Sequence, residues 1–123
     1  MSDLAAPVPI LRIFDEARAR GFYCSYLGFE VVFEHRFEPG LPLYMEVRRD
    51  QSVLHLSEHH GDASPGAHIR MSVRDLDALL HDLLAKDYRH LRPGIIAQPW
   101  GMREMTLTDP FANRLTFCET MQG

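Results

Sequence analysis

The hydrophobic residues of this chain change their spacing twice, from a helical period to strict alternation. An apolar extended stretch, residues 8–14, is followed by Asp15, a residue type that favours helix N-caps, and then by apolar side chains at helical spacing. The same order returns about sixty residues later, where residues 68–73 precede Asp75. The helical apolar positions are Ala19, Phe22, Tyr23, Tyr26 and Leu27 in the first copy and Leu76, Leu79, Leu80, Leu83 and Leu84 in the second. Each predicted helix therefore has one apolar face to bury.

After each predicted helix the pattern alternates, which is typical of strands. The alternating segments are residues 31–37, 43–48 and 52–58 in the first half, and 102–108, 114–118 and, more weakly, 92–97 in the second. Gly28 is suited to end the first helix, and residues 59–66 are rich in turn formers. The sequence therefore predicts an α+β fold in which the order βαβββ occurs twice. We expect a single domain over residues 1–123, with modules at about 7–60 and about 66–120.

Alternation also assigns the two faces of the predicted sheets, because successive side chains of a strand point to opposite sides. One face of each strand is apolar and is expected to pack under the helices. The other face carries His, Arg, Glu, Thr and Tyr side chains. These polar faces are expected to line a concave, wet surface, and a functional site is predicted there.

Composition narrows the class of protein. With 123 residues, 46% of them hydrophobic, the chain is long enough to bury one core. It carries a formal charge of -4 and has no Lys/Arg cluster, so nucleic acid is not an expected partner. Neither a membrane span nor a signal peptide is visible, so we expect a cytoplasmic protein without a membrane partner. Cys24 and Cys118 are then expected to be reduced thiols.

Several short motifs carry a family resemblance that covers nearly the whole chain. They are Ile13-Phe14-Asp15, Phe22-Tyr23, Leu27-Gly28-Phe29, Val73-Arg74-Asp75 and the segment 109–115. Together they resemble the glyoxalase, bleomycin-resistance and extradiol dioxygenase superfamily, also called vicinal oxygen chelate. The segment 98–104, followed by Asp109-Pro110, looks like the metal-free bleomycin-resistance branch. This resemblance implies a curved mixed sheet built from two βαβββ modules, a homodimer, and a cup that binds small molecules.

One position departs from the family pattern. The family usually has glycine in the Asp-Pro-x-Gly-Asn turn, where this chain has Ala112. Such turns often need a positive φ, which glycine adopts without strain. Ala112 is therefore expected either to accept strain or to lie in a slightly different turn.

The resemblance also locates the metal ligands of the metal-dependent members. The corresponding positions here are Val8, His55, His68 and Thr116. Only the two histidines are good ligands, whereas catalytic metal sites usually have at least three protein ligands. We therefore expect no metal and no other cofactor. The alternative is a divalent metal held by His55, His68 and either Glu104 or a group from the partner chain.

The candidate ligand-binding residues are Trp100, Phe33, His35, Tyr44, Glu46, His55, His68, Arg103 and Glu104. Trp100 lies in a Pro-Trp-Gly loop and is either a stacking platform for a planar ligand or a loop anchor. Arg103 either orients a ligand or pairs across strands. Phe33 belongs to an aromatic wall, to the core or to a dimer interface, and Glu46 is either a base or a solvated carboxylate. No catalytic residue is assigned. His81 and His90 are expected on a solvated helix face and in the loop that follows.

Three functional hypotheses follow. The first is a homodimer that sequesters a small aromatic or cationic molecule, since the net charge is acidic and bleomycin-type ligands are basic and contain rings. The second is a metal-dependent lyase, thiol transferase or dioxygenase that uses His55 and His68. The third is a housekeeping or regulatory dimer whose cavity is incidental.

Overall fold

A computed structural model describes residues 2–88 and 91–121, so His90 lies outside the described residues. The chain forms β1 (Ile10–Arg12), α1 (Glu16–Ala19) with a π-helical continuation (Arg20–Tyr26), β2 (Glu30–His35), β3 (Tyr44–Arg49), β4 (Ser52–Ser57), β5 (His68–Ser72), α2 (Leu76–Ala85), β6 (Ile96–Gln98), β7 (Met102–Thr108) and β8 (Arg114–Thr120). This is βαβββ twice, and the predicted fold class is confirmed. None of the described helices is long and apolar enough to cross a membrane.

The strands form two four-stranded mixed sheets rather than one continuous sheet. Their orders are β1-β4-β3-β2 and β5-β8-β7-β6. In each sheet the first strand pairs in parallel with the last strand of its module, and the other pairs are antiparallel. The two modules therefore have the same topology. The second strand of each module, β2 or β6, lies at an edge of its sheet.

The helix ends follow the local sequence. Asp15 Oδ1 accepts a hydrogen bond from the backbone N–H of Arg18 at 2.9 Å, and Asp75 Oδ1 accepts one from Ala78 at 3.0 Å. Both aspartates are the predicted N-caps. Gly28 has φ 77, and its N–H donates to the carbonyl of Cys24 at 3.1 Å. It ends the first helix as predicted, because a left-handed φ is accessible to glycine without strain.

Most of the first helix is wider than the predicted α-helix. In the π-helical continuation, the N–H of Leu27 reaches back five residues to the carbonyl of Phe22 at 2.9 Å. Phe22, Tyr23 and Tyr26 are all buried there. Tyr26 also stacks on Tyr88 of the second module, with ring centroids 4.7 Å apart. The wider turn thus goes together with the burial of three bulky rings, one of which packs on the other module.

A buried carboxylate in the turn between β7 and β8 joins the two modules. Asp109 accepts hydrogen bonds from Tyr23 Oη at 2.6 Å and from Asn113 Nδ2 at 2.9 Å. It also accepts the backbone N–H groups of Phe111 and Asn113, each at 2.8 Å. Asn113 Nδ2 in addition donates to the carbonyl of Arg12 on β1 at 2.9 Å. Burial, reinforced by Asp109, raises the pKa of Tyr23, which therefore remains a donor.

Ala112 occupies the strained conformation that the family places on glycine, with φ 72. We expect Ala112→Gly to raise the free energy of unfolding by about 1 kcal/mol, because glycine removes the left-handed strain at the cost of some unfolded-state entropy. Urea unfolding followed by circular dichroism measures this. As a control, Ala97→Gly on β6, where φ is not positive, should lower stability instead. If Ala112→Gly lowered the free energy of unfolding, the backbone of Ala112 would not be strained in the native turn.

Candidate functional site

The strand register arranges the polar faces of the sheets in rows. In the first sheet one row consists of Arg12, Ser57, Tyr44 and His35, and the next consists of Ile10, His55, Glu46 and Phe33. In the second sheet the rows include Arg70, Thr116 and Thr106, then Ser72, Cys118, Glu104 and Ile96. Side chains in register share a face, so most of the predicted site residues lie on these two polar faces.

His55 is the centre of a hydrogen-bonded cluster on the first sheet. Its Nδ1 lies 2.6 Å from Tyr44 Oη, and its Nε2 lies 2.9 Å from Glu46 Oε1. Burial, assisted by Asp62 and Glu46, raises the pKa of Tyr44, so the phenol keeps its proton. A carboxylate only accepts hydrogen bonds, so Nε2–H donates to Glu46, and the tautomer protonated at Nε2 accepts from Tyr44 Oη at Nδ1. Both ring nitrogens of His55 are therefore occupied by protein groups, and its side chain is 20% exposed.

His68 belongs to a separate cluster on the second sheet. Its Nε2 lies 2.7 Å from Thr116 Oγ1, which in turn lies 2.8 Å from Thr106 Oγ1. Among the residues that the structure describes, His55 and His68 share no hydrogen-bond partner. The structure thus places the two histidines in two different polar networks.

Trp100 is held by its indole nitrogen while its ring is exposed. Its Nε1 donates to Glu104 Oε2 at 3.3 Å, yet the residue is 62% exposed. Glu104 also accepts from Arg70 Nη2, and from Gln98 Nε2 at 3.5 Å. Arg70, followed by Trp100, holds the pKa of the Glu104 carboxyl below its usual range. The two predicted interpretations of Trp100 are compatible here, because an anchored indole nitrogen fixes the ring in place for stacking.

Protonation of Glu104 is expected to change the fluorescence of Trp100, because the carboxylate binds the indole N–H. Since the folded-state pKa is lowered, the carboxylate stabilises the fold fully above the usual value of 4.5, and this contribution is lost as pH falls through the lower folded-state pKa. We expect the fluorescence of Trp100, the only tryptophan, to stay constant from neutral pH to about 4.5 and to change below it. In Glu104→Gln this step should be absent, because an amide does not titrate. A fluorescence transition with its midpoint above pH 4.5 would contradict the lowered pKa of Glu104.

Not every candidate joins these clusters. Arg103 lies on the opposite face of β7, where Nη1 and Nη2 bind Asp77 of α2, both at 2.9 Å, and Nη1 also binds Glu119 at 2.8 Å. These carboxylates raise the pKa of Arg103. The structure thus gives Arg103 the salt-bridge role rather than a place beside Trp100. His35 is exposed on the edge strand β2, and the Phe33 ring packs edge-on to His55 at 5.8 Å between centroids.

The family's metal positions carry Val8, His55, His68 and Thr116 in this chain. Within residues 2–88 and 91–121, no three His, Cys, Asp or Glu side chains come together as a metal-binding group. Both nitrogens of His55 are engaged, and Glu104 already accepts three donors. A metal would have to displace these hydrogen bonds, so the donor set that this chain supplies by itself does not fit one.

Sequence reasoning missed Arg70 and Gln98 as parts of the site, and Arg12 as a member of the polar face. Arg70 and Gln98 bind the carboxylate that holds Trp100. Arg12 lies in the row that contains Tyr44, while its neighbours Leu11 and Ile13 are buried. That alternation is visible in the sequence and was the signal that could have placed Arg12 on the polar face.

A cavity of about 640 Å³ lies elsewhere, between the modules. Met71, Leu79 and Phe117 contribute to its walls, and Arg49 and Arg74 are among its other lining residues. Met71 and Phe117 belong to the apolar faces of β5 and β8. Of the residues in the polar rows described above, Ser72 alone lines this cavity.

Comparison with known proteins identifies the family. A profile described as "Glyoxalase superfamily protein" matches residues 3–123. The chain belongs to the glyoxalase superfamily. No curated protein matches the chain.

Solved structures of the superfamily share the fold. The bleomycin-binding protein from Streptomyces verticillus, complexed with copper(II)-bleomycin, is 29% identical over 100% of both chains, with a TM-score of 0.70. Another bleomycin-binding protein, complexed with bleomycin, is 24% identical over 97% of this chain and 99% of that one, with a TM-score of 0.68. The lactoylglutathione lyase from Agrobacterium tumefaciens is 18% identical over 96% of each chain, with a TM-score of 0.72.

Proposed function

We propose that this glyoxalase-superfamily protein binds and sequesters a small, ring-containing molecule, with Trp100 as the stacking platform. The observation that carries the proposal is an exposed indole ring fixed through its N–H to a buried carboxylate. A fixed aromatic ring loses little entropy when a flat ligand stacks on it. The similarity to the Streptomyces verticillus bleomycin-binding protein supports this class of function. An antibiotic-resistance role in the cytoplasm would be one use of such a protein.

The proposal includes a homodimer, and the edge strand β2 supports it. Every residue of this strand is exposed, including Val31, Val32 and Phe33, and the nearby Phe37 is 81% exposed. An exposed apolar edge strand is a template for pairing with another chain. A second copy would cover it and would supply a second polar face to enclose the ligand. Sedimentation velocity tests this, and a monomer at working concentration would overturn the dimer.

The test of ligand binding uses the intrinsic fluorescence of Trp100. Purified protein is titrated with bleomycin, with copper(II)-bleomycin and with a panel of planar aromatic compounds. A ligand that stacks on the indole should change its emission saturably, because no other tryptophan contributes. If no compound gives a saturable change, the sequestering function is overturned, and a cavity without a ligand becomes the better description.

The metal-dependent enzyme is the second candidate, and His55 and His68 at two of the family's ligand positions are the observation that favours it. Its weakness is the missing third ligand described above. Elemental analysis of untagged protein decides between the two, followed by titration with zinc, nickel, manganese and iron(II). One tightly held ion per chain, lost in His55→Ala/His68→Ala, would replace the binding protein by an enzyme.

A further inference from the structure

Glu46 is a half-buried carboxylate without a cationic partner. Its side chain is 17% exposed, and its one ion-pair contact within residues 2–88 and 91–121 is His55 Nε2 at 2.9 Å. The tautomer assigned above leaves that imidazole neutral. The other buried or half-buried glutamates of the described chain each form a salt bridge with an arginine; they are Glu16, Glu58, Glu104 and Glu119. Glu46 thus differs from them in lacking a neutralising side chain.

One oxygen of this carboxylate is open to solvent. Oε1 accepts from His55, whereas Oε2 has no hydrogen-bond partner among the described residues. The buried side-chain polar atoms that lack a partner there are Arg12 Nε and Tyr26 Oη, so Glu46 Oε2 is not a buried atom. A carboxylate oxygen accepts hydrogen bonds and donates none. Oε2 is therefore an accessible acceptor on the polar face of the first sheet.

The imidazole passes the same polarity on to Tyr44. Because Glu46 only accepts, His55 carries its proton on Nε2 and presents the lone pair of Nδ1 to Tyr44. The O–H of Tyr44 is committed to that lone pair at 2.6 Å. Only the lone pairs of Tyr44 Oη remain for another molecule. The carboxylate thus determines, through the imidazole, that the tyrosine also presents an acceptor.

An exposed aromatic ring borders these two acceptors. Glu46 is in register with His55 on β4 and with Phe33 on β2, and Tyr44 lies in the next row. The Phe33 ring is exposed and packs edge-on to His55, with centroids 5.8 Å apart. A ligand ring that packs on Phe33 would place its polar substituents beside the two acceptors.

We infer that the relay Glu46–His55–Tyr44 selects ligands whose ring carries a hydrogen-bond donor, a hydroxyl or an N–H, over the same ring with that donor methylated. The inference rests on the proposed small-molecule binding and adds the ligand's chemistry to it. A donor placed here gains a hydrogen bond to a charged oxygen. An acceptor placed here faces only lone pairs and loses its hydrogen bond to water.

The first test reads the relay without any ligand. Long-range proton–nitrogen NMR spectra of the full-length protein report which ring nitrogen of His55 carries the proton, and His55→Gln identifies its signals. The expected result at neutral pH is a protonated Nε2 and an unprotonated Nδ1. A proton on Nδ1 would turn the Tyr44 hydroxyl into a free donor and would overturn the inference.

The second test uses two matched pairs of ring compounds, one for each kind of donor. The pairs are 6-hydroxyquinoline with 6-methoxyquinoline, and indole with 1-methylindole. Isothermal titration calorimetry at neutral pH measures each affinity for the wild type, Glu46→Gln, Tyr44→Phe and Glu38→Gln. Glu38 is exposed in the loop after β2 and forms no salt bridge within the described residues, so its variant removes the same charge elsewhere.

The wild type should bind the donor of at least one pair about tenfold more tightly than its methylated partner, the value of one hydrogen bond to a charged acceptor. Glu46→Gln should lose this preference, because an amide can donate to or accept from Nε2 and so allows both tautomers of His55. Tyr44→Phe keeps Glu46 Oε2 and should keep part of the preference. Glu38→Gln should match the wild type.

Three results would contradict the relay. Equal binding within both pairs by the wild type overturns it while ring binding stands. A preference that persists unchanged in Glu46→Gln means that the size of the methyl group decides, which also overturns it. Binding of none of the four compounds overturns it as well, and the panel of planar compounds described above then decides the proposed function separately.

Discussion

Asp109→Ala is expected to lower the free energy of unfolding by about 4 kcal/mol. The substitution leaves the Tyr23 hydroxyl, the Asn113 amide and two backbone N–H groups without their buried acceptor. Each of these groups loses a hydrogen bond to a carboxylate oxygen inside the fold. The substitution also removes the carboxylate that links the π-helical continuation of the first helix to the last hairpin. Urea unfolding followed by far-UV circular dichroism measures the change.

Two further variants make this result interpretable. Tyr23→Phe removes only one of the donors and should cost about 1.5 kcal/mol, so it reports on the link even where Asp109→Ala fails to fold. Asp87→Ala removes an exposed carboxylate that lies 3.9 Å from Arg92, and should change stability by less than about 0.5 kcal/mol. A loss below about 1 kcal/mol in Asp109→Ala would show that the turn does not hold the modules together.

Trp100→Ala is expected to weaken binding of the ring-containing ligand by about 30-fold or more, which corresponds to an aromatic anchor of about 2 kcal/mol. Because the ring is 62% exposed, the free energy of unfolding should change by less than about 1 kcal/mol. Isothermal titration calorimetry measures the affinity, since the variant has lost its fluorescent reporter. Trp100→Phe keeps a ring but loses the hydrogen bond to Glu104, and should bind with intermediate affinity.

The outcome separates the two roles of this side chain. Leu84→Ala, at an exposed position on α2 outside the polar faces, is the control and should bind as the wild type does. A large loss of stability in Trp100→Ala with unchanged affinity would mean that the ring is only a loop anchor. The stacking platform would then have to be sought elsewhere.

The local features of the fold were predictable from the sequence because they depend on neighbouring residues. The caps at Asp15 and Asp75 and the stop at Gly28 each involve groups within a few positions. Strand alternation placed Tyr44 and Glu46 on one polar face for the same reason. The weaker segment 92–97 became only the short strand β6, since little alternation marks it.

The remaining features depend on residues that are distant in the chain. The wide first helix packs against Tyr88, which follows α2, and its Tyr23 binds Asp109 in the turn between β7 and β8. The bond from Trp100 to Glu104 crosses a tight turn whose geometry the sequence did not specify.

The hydrogen bonds to Asp109 that link the two modules also affect how the chain folds during synthesis. Tyr23 and Asp109 are separated by 86 positions, so their contact forms only after the segment that ends at Asp109 has left the ribosome. Until then the nascent first module lacks the acceptor for its buried tyrosine, and its edge strand β2 is uncovered. Such an intermediate exposes pairing surface to neighbouring chains. We expect truncations that end before the last hairpin to be captured by chaperones or to aggregate, rather than to accumulate as folded half-proteins.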